Sequence, residues 1–232
     1  MLSPPPNCCI LKRIMKLLLM RHGETDWNTC GRLQGQTDVP LNDAGRKMAV
    51  SCAEGMKDVP YDICISSPLL RARETAELVT KGRSVPLLFD DRLKEASFGV
   101  WEGLICKAEG YSVPLSDFGL YWRDPENPEM DPSVEKLTHV AQRVEEFLTD
   151  LVNDPRYQDK TILLVVHGCV LRSFQYIASG RETFCGGVSY NCQVHEARPY
   201  MENGRVELEM GDSHIYYDKS MVHNYYASMK QG

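Results

Sequence analysis

Two stretches decide the fold: Leu17-Leu18-Leu19-Met20-Arg21-His22-Gly23 and Ile162-Leu163-Leu164-Val165-Val166-His167-Gly168. Each apolar run is short and uniform, which predicts a strand buried on both faces of a parallel sheet. Each run ends at a histidine followed by a glycine. In an open parallel sheet, ligands bind beyond the carboxyl ends of the strands, so both imidazoles should emerge where a pocket forms. A lone histidine at a strand end is more often structural. Two in the same context point to function.

Working outward, residues 42–56 and 68–80 read as helices, with Pro68 suited to a first turn. Residues 133–151 read as an amphipathic helix, with Val134, Leu137, Val140, Val144, Phe147, Leu148 and Leu151 at helical spacing. Another helix is expected over 170–178. Strands are expected over 61–66 and 85–89, with two late ones over 189–196 and 205–210 and a surface tail after Asp212. Strands alternating with helices imply an α/β fold, a three-layer α/β/α sandwich around a mostly parallel sheet. One domain over 15–232 is expected behind an N-terminal extension, 1–14, whose three consecutive prolines predict extended or disordered chain. Residues 104–131 follow no clean period and read as an insertion over the site, partly helical, more lid than core.

The chain has 232 residues, 43% hydrophobic and 25% charged, with a net charge of −6. No basic stripe is present to displace counterions, which argues against a nucleic-acid partner. Screening acts within roughly 8 Å, so a few local arginines can still hold a small anion. Residues 8–19 are interrupted by Lys12, Arg13 and Lys16, so they predict neither a membrane span nor a secretory signal, and a cytoplasmic protein is expected. Nine cysteines, an odd number without a Cys-x-x-Cys pair, read as free thiols. His139, His195, His214 and His223 show no ligand spacing, so no metal or other cofactor is expected.

Arg21 precedes the first histidine, and Arg71 is expected one turn inside a helix that starts at the same edge of the sheet. An arginine at a helix N-terminus makes an anion site. For Arg71 alone, a solvated surface charge is an equal reading. Cys169 beside the second His-Gly pair reads as a packed thiol rather than a redox switch.

Four ordered blocks now carry a resemblance: Arg21-His22-Gly23-Glu24 with Trp27-Asn28, Ser67-Pro68-Leu69-Leu70-Arg71-Ala72, Glu95 before Phe98-Gly99-Val100-Trp101-Glu102-Gly103, and His167-Gly168. Together they resemble the histidine phosphatase superfamily, in its phosphoglycerate mutase-like branch with broad-specificity phosphatases. The resemblance implies a phosphoglycerate mutase-like fold and a catalytic domain over 15–232. It implies that His22 is the nucleophile and that Arg21, Arg71 and His167 hold the phosphoryl oxygens, with Asn28 as a further donor. It implies that Glu95 gives a proton to the leaving oxygen, and that Gln34 and Gly35 lie in a loop closing near the phosphate. The catalytic set is then His22, Glu95, His167, Arg21 and Arg71, acting on a small phosphorylated metabolite. It also implies a monomer or a homodimer, the states in which related proteins occur.

Asn191 fits either a site-edge position or a strand end. Tyr111, Tyr121 and Trp122 either line the substrate pocket or pin the insertion down. Three functions are compatible with these residues: hydrolysis of a small phosphomonoester, mutase-type transfer to a second hydroxyl, or non-catalytic binding of a phospholigand. Hydrolysis is favoured because the insertion sets Lys107 and Arg123 against Glu109, Asp117, Asp124, Glu126, Glu129 and Asp131, a poor clamp for a second phosphate.

Overall fold

A computed structural model describes residues 15–106, 110, 112–124, 126, 129–182, 184 and 189–223, the side chains of 115–117 excepted. The expectation for residues 1–14 lies outside the described residues, as do those for Lys107, Glu109 and Tyr111. Strand β1 (Lys16–Arg21) is followed by helices α1 (Asp26–Thr29) and α2 (Asp43–Gly55), then β2 (Ile63–Ser66), α3 (Leu70–Thr80) and β3 (Leu87–Phe89). Next come α4 (Leu115–Arg123), α5 (Leu137–Asn153), β4 (Thr161–Val166), α6 (Gly168–Ala178), β5 (Val194–Glu202) and β6 (Arg205–His214).

One sheet takes the order β3-β2-β4-β1-β5-β6. The first four strands are mutually parallel, and β5 and β6 run antiparallel at the far edge. Side chains alternate across a strand, and the two faces show it. Leu17, Leu19, Ile162, Leu164 and Val166 pack with α5 and α6 on one side. Leu18, Met20, Cys64, Leu163 and Val165 pack with α2 and α3 on the other. This is why β1 and β4 carry unbroken apolar runs: both faces are covered, and each fully buried aliphatic side chain contributes roughly 1.5–3 kcal/mol. The register pairs Arg21 with Val166, so the residues after β1 and β4 leave the sheet side by side.

Several boundaries differ from expectation. The helix expected over 133–151 begins at Leu137. Asp131 accepts from Ser133 N (2.9 Å), and Glu135 exchanges backbone and side-chain hydrogen bonds with Ser97 (2.7 and 2.9 Å), so residues 133–135 are stitched to a neighbouring loop. Helix α3 starts at Leu70, not at Pro68, because Ser67 Oγ accepts from Leu69 N and Asp38 accepts from Leu70 N. Arg71 therefore sits in the first turn rather than one turn inside. The strand expected over 189–196 begins only at Val194. Before it the chain turns, with Gln193 N bonded to Tyr190 O at 3.1 Å and Cys192 left-handed at φ 54°. Strands β5 and β6 instead form a longer hairpin through Asn203 (φ 50°) and Gly204 (φ 81°), the pairing that a two-residue turn of this hand requires. Chain beyond Asp212 continues the strand to His214 and buries Tyr217.

Residues 104–131 were expected to be more lid than core. Instead Cys106, Val113, Phe118 and Tyr121 are buried in the α5–α6 cluster. Tyr121 stands edge-on to Phe98 and Trp101, and its hydroxyl donates to Glu135 O at 3.1 Å. Among the described residues, no helix is long and apolar enough to cross a membrane.

Candidate active site

The ends of β1 and β4 bring His22 and His167 together, their rings 5.1 Å apart and tilted by 54°. Both are buried, and His22 N donates to Val166 O at 3.0 Å. His22 Nδ1 lies 2.7 Å from Gly23 O. A carbonyl only accepts, so Nδ1 carries the proton and Nε2 keeps its lone pair. Burial first, then the charges of Arg71 and Arg21, hold the His22 pKa well below its ordinary value. His167 is lowered by the same order of causes, burial, Arg71 and then His22, with Arg143 and Arg21 adding less. Both rings are thus neutral near pH 7. Nε2 of His167 shares a 2.8 Å hydrogen bond with Ser67 Oγ.

The loop after His22 is held without slack. Asn191 donates to the carbonyls of His22 (2.9 Å) and Gly23 (3.1 Å), and Gly23 N donates to Thr75 Oγ1 at 2.9 Å. A Cβ on Gly45 would come within 2.1 Å of Glu24 O, so glycine is required where α2 passes this loop. Thr25 caps α1, and its backbone and hydroxyl both donate to Asn28 Oδ1. That leaves the buried Asn28 Nδ2 as a donor without a partner.

Arg71 is wholly buried, its Nη2 donating to Gly35 O (2.7 Å) and Nη1 to Thr37 O (3.1 Å). Its Nε has no partner. Burial lowers its pKa to about 10, against the pull of Glu95 and Asp38, so it remains a cation at neutral pH. Gly35 takes φ 52°, where a Cβ would strike Glu102. Glu102 in turn accepts from Gln36 N and Thr37 N, both at 2.9 Å. Gln34 is buried beside this loop, its Oε1 unpartnered. Arg21 Nη1 donates to Ser189 O at 2.5 Å.

Glu95 is buried, not a surface carboxylate. Its oxygens accept from Gly168 N and Cys169 N, each at 3.0 Å, and from its own neighbour Ala96 N. It thereby caps α6, which explains why that helix begins at Gly168 rather than near Val170. Arg143 fixes the carrying segment from behind, donating to Arg92 O (2.5 Å) and Glu95 O (3.1 Å) while paired with Glu135. Burial and the adjacent Glu95 push the Cys169 thiol well above its usual range, so it is a packed thiol.

The sequence-derived set of Arg21, His22, Asn28, Gln34, Gly35, Arg71, Glu95 and His167 thus surrounds the carboxyl ends of β1 and β4. Ser67, Thr75, Glu102 and Arg143 were not singled out. Ser67 and Glu102 lie inside quoted blocks, whereas Thr75 and Arg143 carry no local signal.

A family model for the histidine phosphatase superfamily (branch 1) matches residues 17–207. The chain belongs to the histidine phosphatase superfamily. Among curated members it is 35% identical over 162 residues to "Uncharacterized phosphatase PhoE" of Bacillus subtilis, covering 70% of this chain and 76% of that one. It is 26% identical to "Phosphoserine phosphatase 1" of Hydrogenobacter thermophilus over 90% of this chain and the whole of that one. The solved structure of Bacillus stearothermophilus YhfR matches with a TM-score of 0.71 at 28% identity, over 84% of this chain and 96% of that one. The protein thus carries two neutral histidines at the ends of β1 and β4, with Arg21 closing β1 and Arg71 in the first turn of α3.

Proposed function

We propose that this protein is a metal-independent phosphatase that hydrolyses a small phosphomonoester through a phosphohistidine on His22. One observation carries the reading: the His22 Nδ1–H is committed to Gly23 O, so a neutral ring presents the Nε2 lone pair beside two buried arginines. A neutral imidazole is a competent nucleophile, and fixed cations stabilise the equatorial oxygens of an in-line displacement.

In this reading Arg21, Arg71, His167 and Asn28 Nδ2 receive the phosphoryl oxygens, and Gln34 and Gly35 border them through the loop that Arg71 holds. Nε2 bonds to phosphorus as the ester P–O bond breaks, and Glu95 gives its proton to the leaving oxygen. Water then attacks the phosphohistidine, Glu95 takes the water's proton, and phosphate departs with His22 restored. Relatives named as phosphatases support hydrolysis, while others, 33% identical, are named probable phosphoglycerate mutases, so the acidic 104–131 segment is what favours hydrolysis over transfer. A small phosphorylated metabolite as partner, no nucleic acid or membrane, and a cytoplasmic setting accompany the proposal.

The test is phosphate release from a panel of phosphomonoesters with EDTA present, 3-phosphoglycerate and 2,3-bisphosphoglycerate included. Release by wild type, lost in His22→Ala, is expected. Interconversion of monophosphoglycerates without release would replace hydrolysis by mutase transfer.

A further inference from the structure

Three arginines around the site, the buried Arg21 and Arg71 and the partly buried Arg143, each place terminal N–H groups on backbone carbonyls: Arg21 on Ser189 O, Arg71 on the Gly35 and Thr37 carbonyls, and Arg143 on the Arg92 and Glu95 carbonyls. Arg172 does not. It is partly buried on α6, one turn beyond the Gly168 and Cys169 N–H groups that hold Glu95. Among the described residues it has neither a hydrogen bond nor an ion pair. Its guanidinium lies face-on over the Trp122 ring, 4.1 Å from the centroid.

Side chains of a helix lean toward its N-terminus, so the Arg172 chain runs back over the first turn of α6, toward Glu95. There Cys169, Glu95 and Tyr121 lie close enough to act electrostatically on its guanidinium. Trp122 belongs to α4, which Tyr121 pins edge-on to Trp101, so the indole beneath the guanidinium is itself fixed. A guanidinium steadied on one face by an aromatic ring still offers its in-plane N–H fork, the geometry that grips a planar carboxylate with two parallel bonds.

We propose that Arg172, stacked on Trp122, binds a carboxylate on the leaving alcohol of the substrate. The inference rests on the phosphatase reading, in which Glu95 faces the leaving oxygen; whatever that oxygen is attached to extends past Glu95 toward Arg172. A carboxylate suits the site better than a second phosphate. A carboxylate needs a single fork, which Arg172 supplies, and the adjoining segment carries Asp124, Glu126, Glu129 and Asp131.

The test compares 3-phosphoglycerate with glycerol 3-phosphate, in which a hydroxymethyl group replaces the carboxylate. Wild type should favour the carboxylate in kcat/KM by about 10–100-fold, the worth of a charged hydrogen-bonded pair. Arg172→Met should bring that ratio close to unity while leaving glycerol 3-phosphate turnover within about threefold, as expected when only the charged pair is lost. Arg172→Gln serves as the second variant if the first does not fold, and each ratio is taken within one variant, so lost stability cancels. An unchanged ratio, or no preference in wild type, overturns the proposal. Equal losses on both esters would mean that Arg172 only anchors Trp122, and would overturn it too. If wild type releases phosphate from neither ester nor p-nitrophenyl phosphate, it is the phosphatase reading that fails. The carboxylate preference is then read by calorimetric titration of the same two esters into wild type and variant.

Discussion

The two strand ends have the same local design, an apolar strand closed by His-Gly, yet they hold their histidines in opposite ways. At the end of β1, backbone carbonyls do the holding: Gly23 O takes the ring proton of His22, and the His22 and Gly23 carbonyls are in turn clamped by Asn191. At the end of β4, a side chain holds the ring through Ser67, and the residues just beyond His167 spend their N–H groups on Glu95. The first arrangement fixes a tautomer and exposes a lone pair. The second builds a carboxylate and a helix start beside a ring that lies next to the first. Similar sequence therefore yields a ring with a fixed tautomer on one strand and a ring tied to a serine on its neighbour, the pair to which the proposed function gives the roles of nucleophile and support, and the difference lies in partners far along the chain.

Substitutions at the two histidines should separate these roles most sharply. His22→Ala is expected to lower kcat by on the order of 10⁴-fold or more, as loss of a nucleophile does. His167→Ala should lower it by about 10²–10³-fold, the scale of one lost transition-state donor. Steady-state kinetics on p-nitrophenyl phosphate checks both, and equal losses would erase the distinction drawn between the strands.

Glu95→Gln sharpens the comparison on the β4 side. Alkyl phosphates should lose about 10²–10³-fold in kcat, within the usual range for general acid catalysis, and p-nitrophenyl phosphate far less because its leaving group needs no proton. Equal losses would refute the proton-donor role. The same substitution turns an amide NH₂ toward N–H donors of α6, so chemical denaturation should show a loss of about 1–3 kcal/mol.

Smaller still is the pH effect. Both histidines have folded pKa values below 6.5, so the unfolded chain takes up protons that the folded chain refuses. Their contribution is fully present above about pH 6.5 and is lost as pH falls below it, at up to about 1.4 kcal/mol per pH unit for each ring. Denaturation at pH 7 and at pH 5.5 should show the decline, and His22→Ala should remove one ring's share. A slope of the opposite sign would mean that the rings are charged in the folded protein.

What the sequence disclosed and what it hid follow from the range of the interactions. The strands β1 and β4 were legible because burial on both faces leaves no polar position in Leu17 to Met20 or Ile162 to Val166. Both histidines were legible because they end those runs. Glu95 could be assigned only by resemblance: its partners Gly168 and Cys169 lie 73 and 74 residues away, a distance no local pattern spans. The start of α5 was misplaced for the same reason. Val134 keeps the helical spacing and is buried, but tertiary bonds from Ser97 override the period at residues 133–135. The β5–β6 hairpin was different, because Asn203-Gly204 is a strong local turn signal that the expected late strands did not use.

Hydrolysis by this route turns on a phosphoryl group carried by His22, and the most direct measurement is to trap it. Wild type mixed with a ³²P-labelled phosphomonoester and quenched in alkali should retain an acid-labile label that peptide mapping places on His22. The label should be absent from His22→Ala and still form in His167→Ala, only more slowly. Turnover without any trapped label, or a label that maps to another residue, would contradict the account.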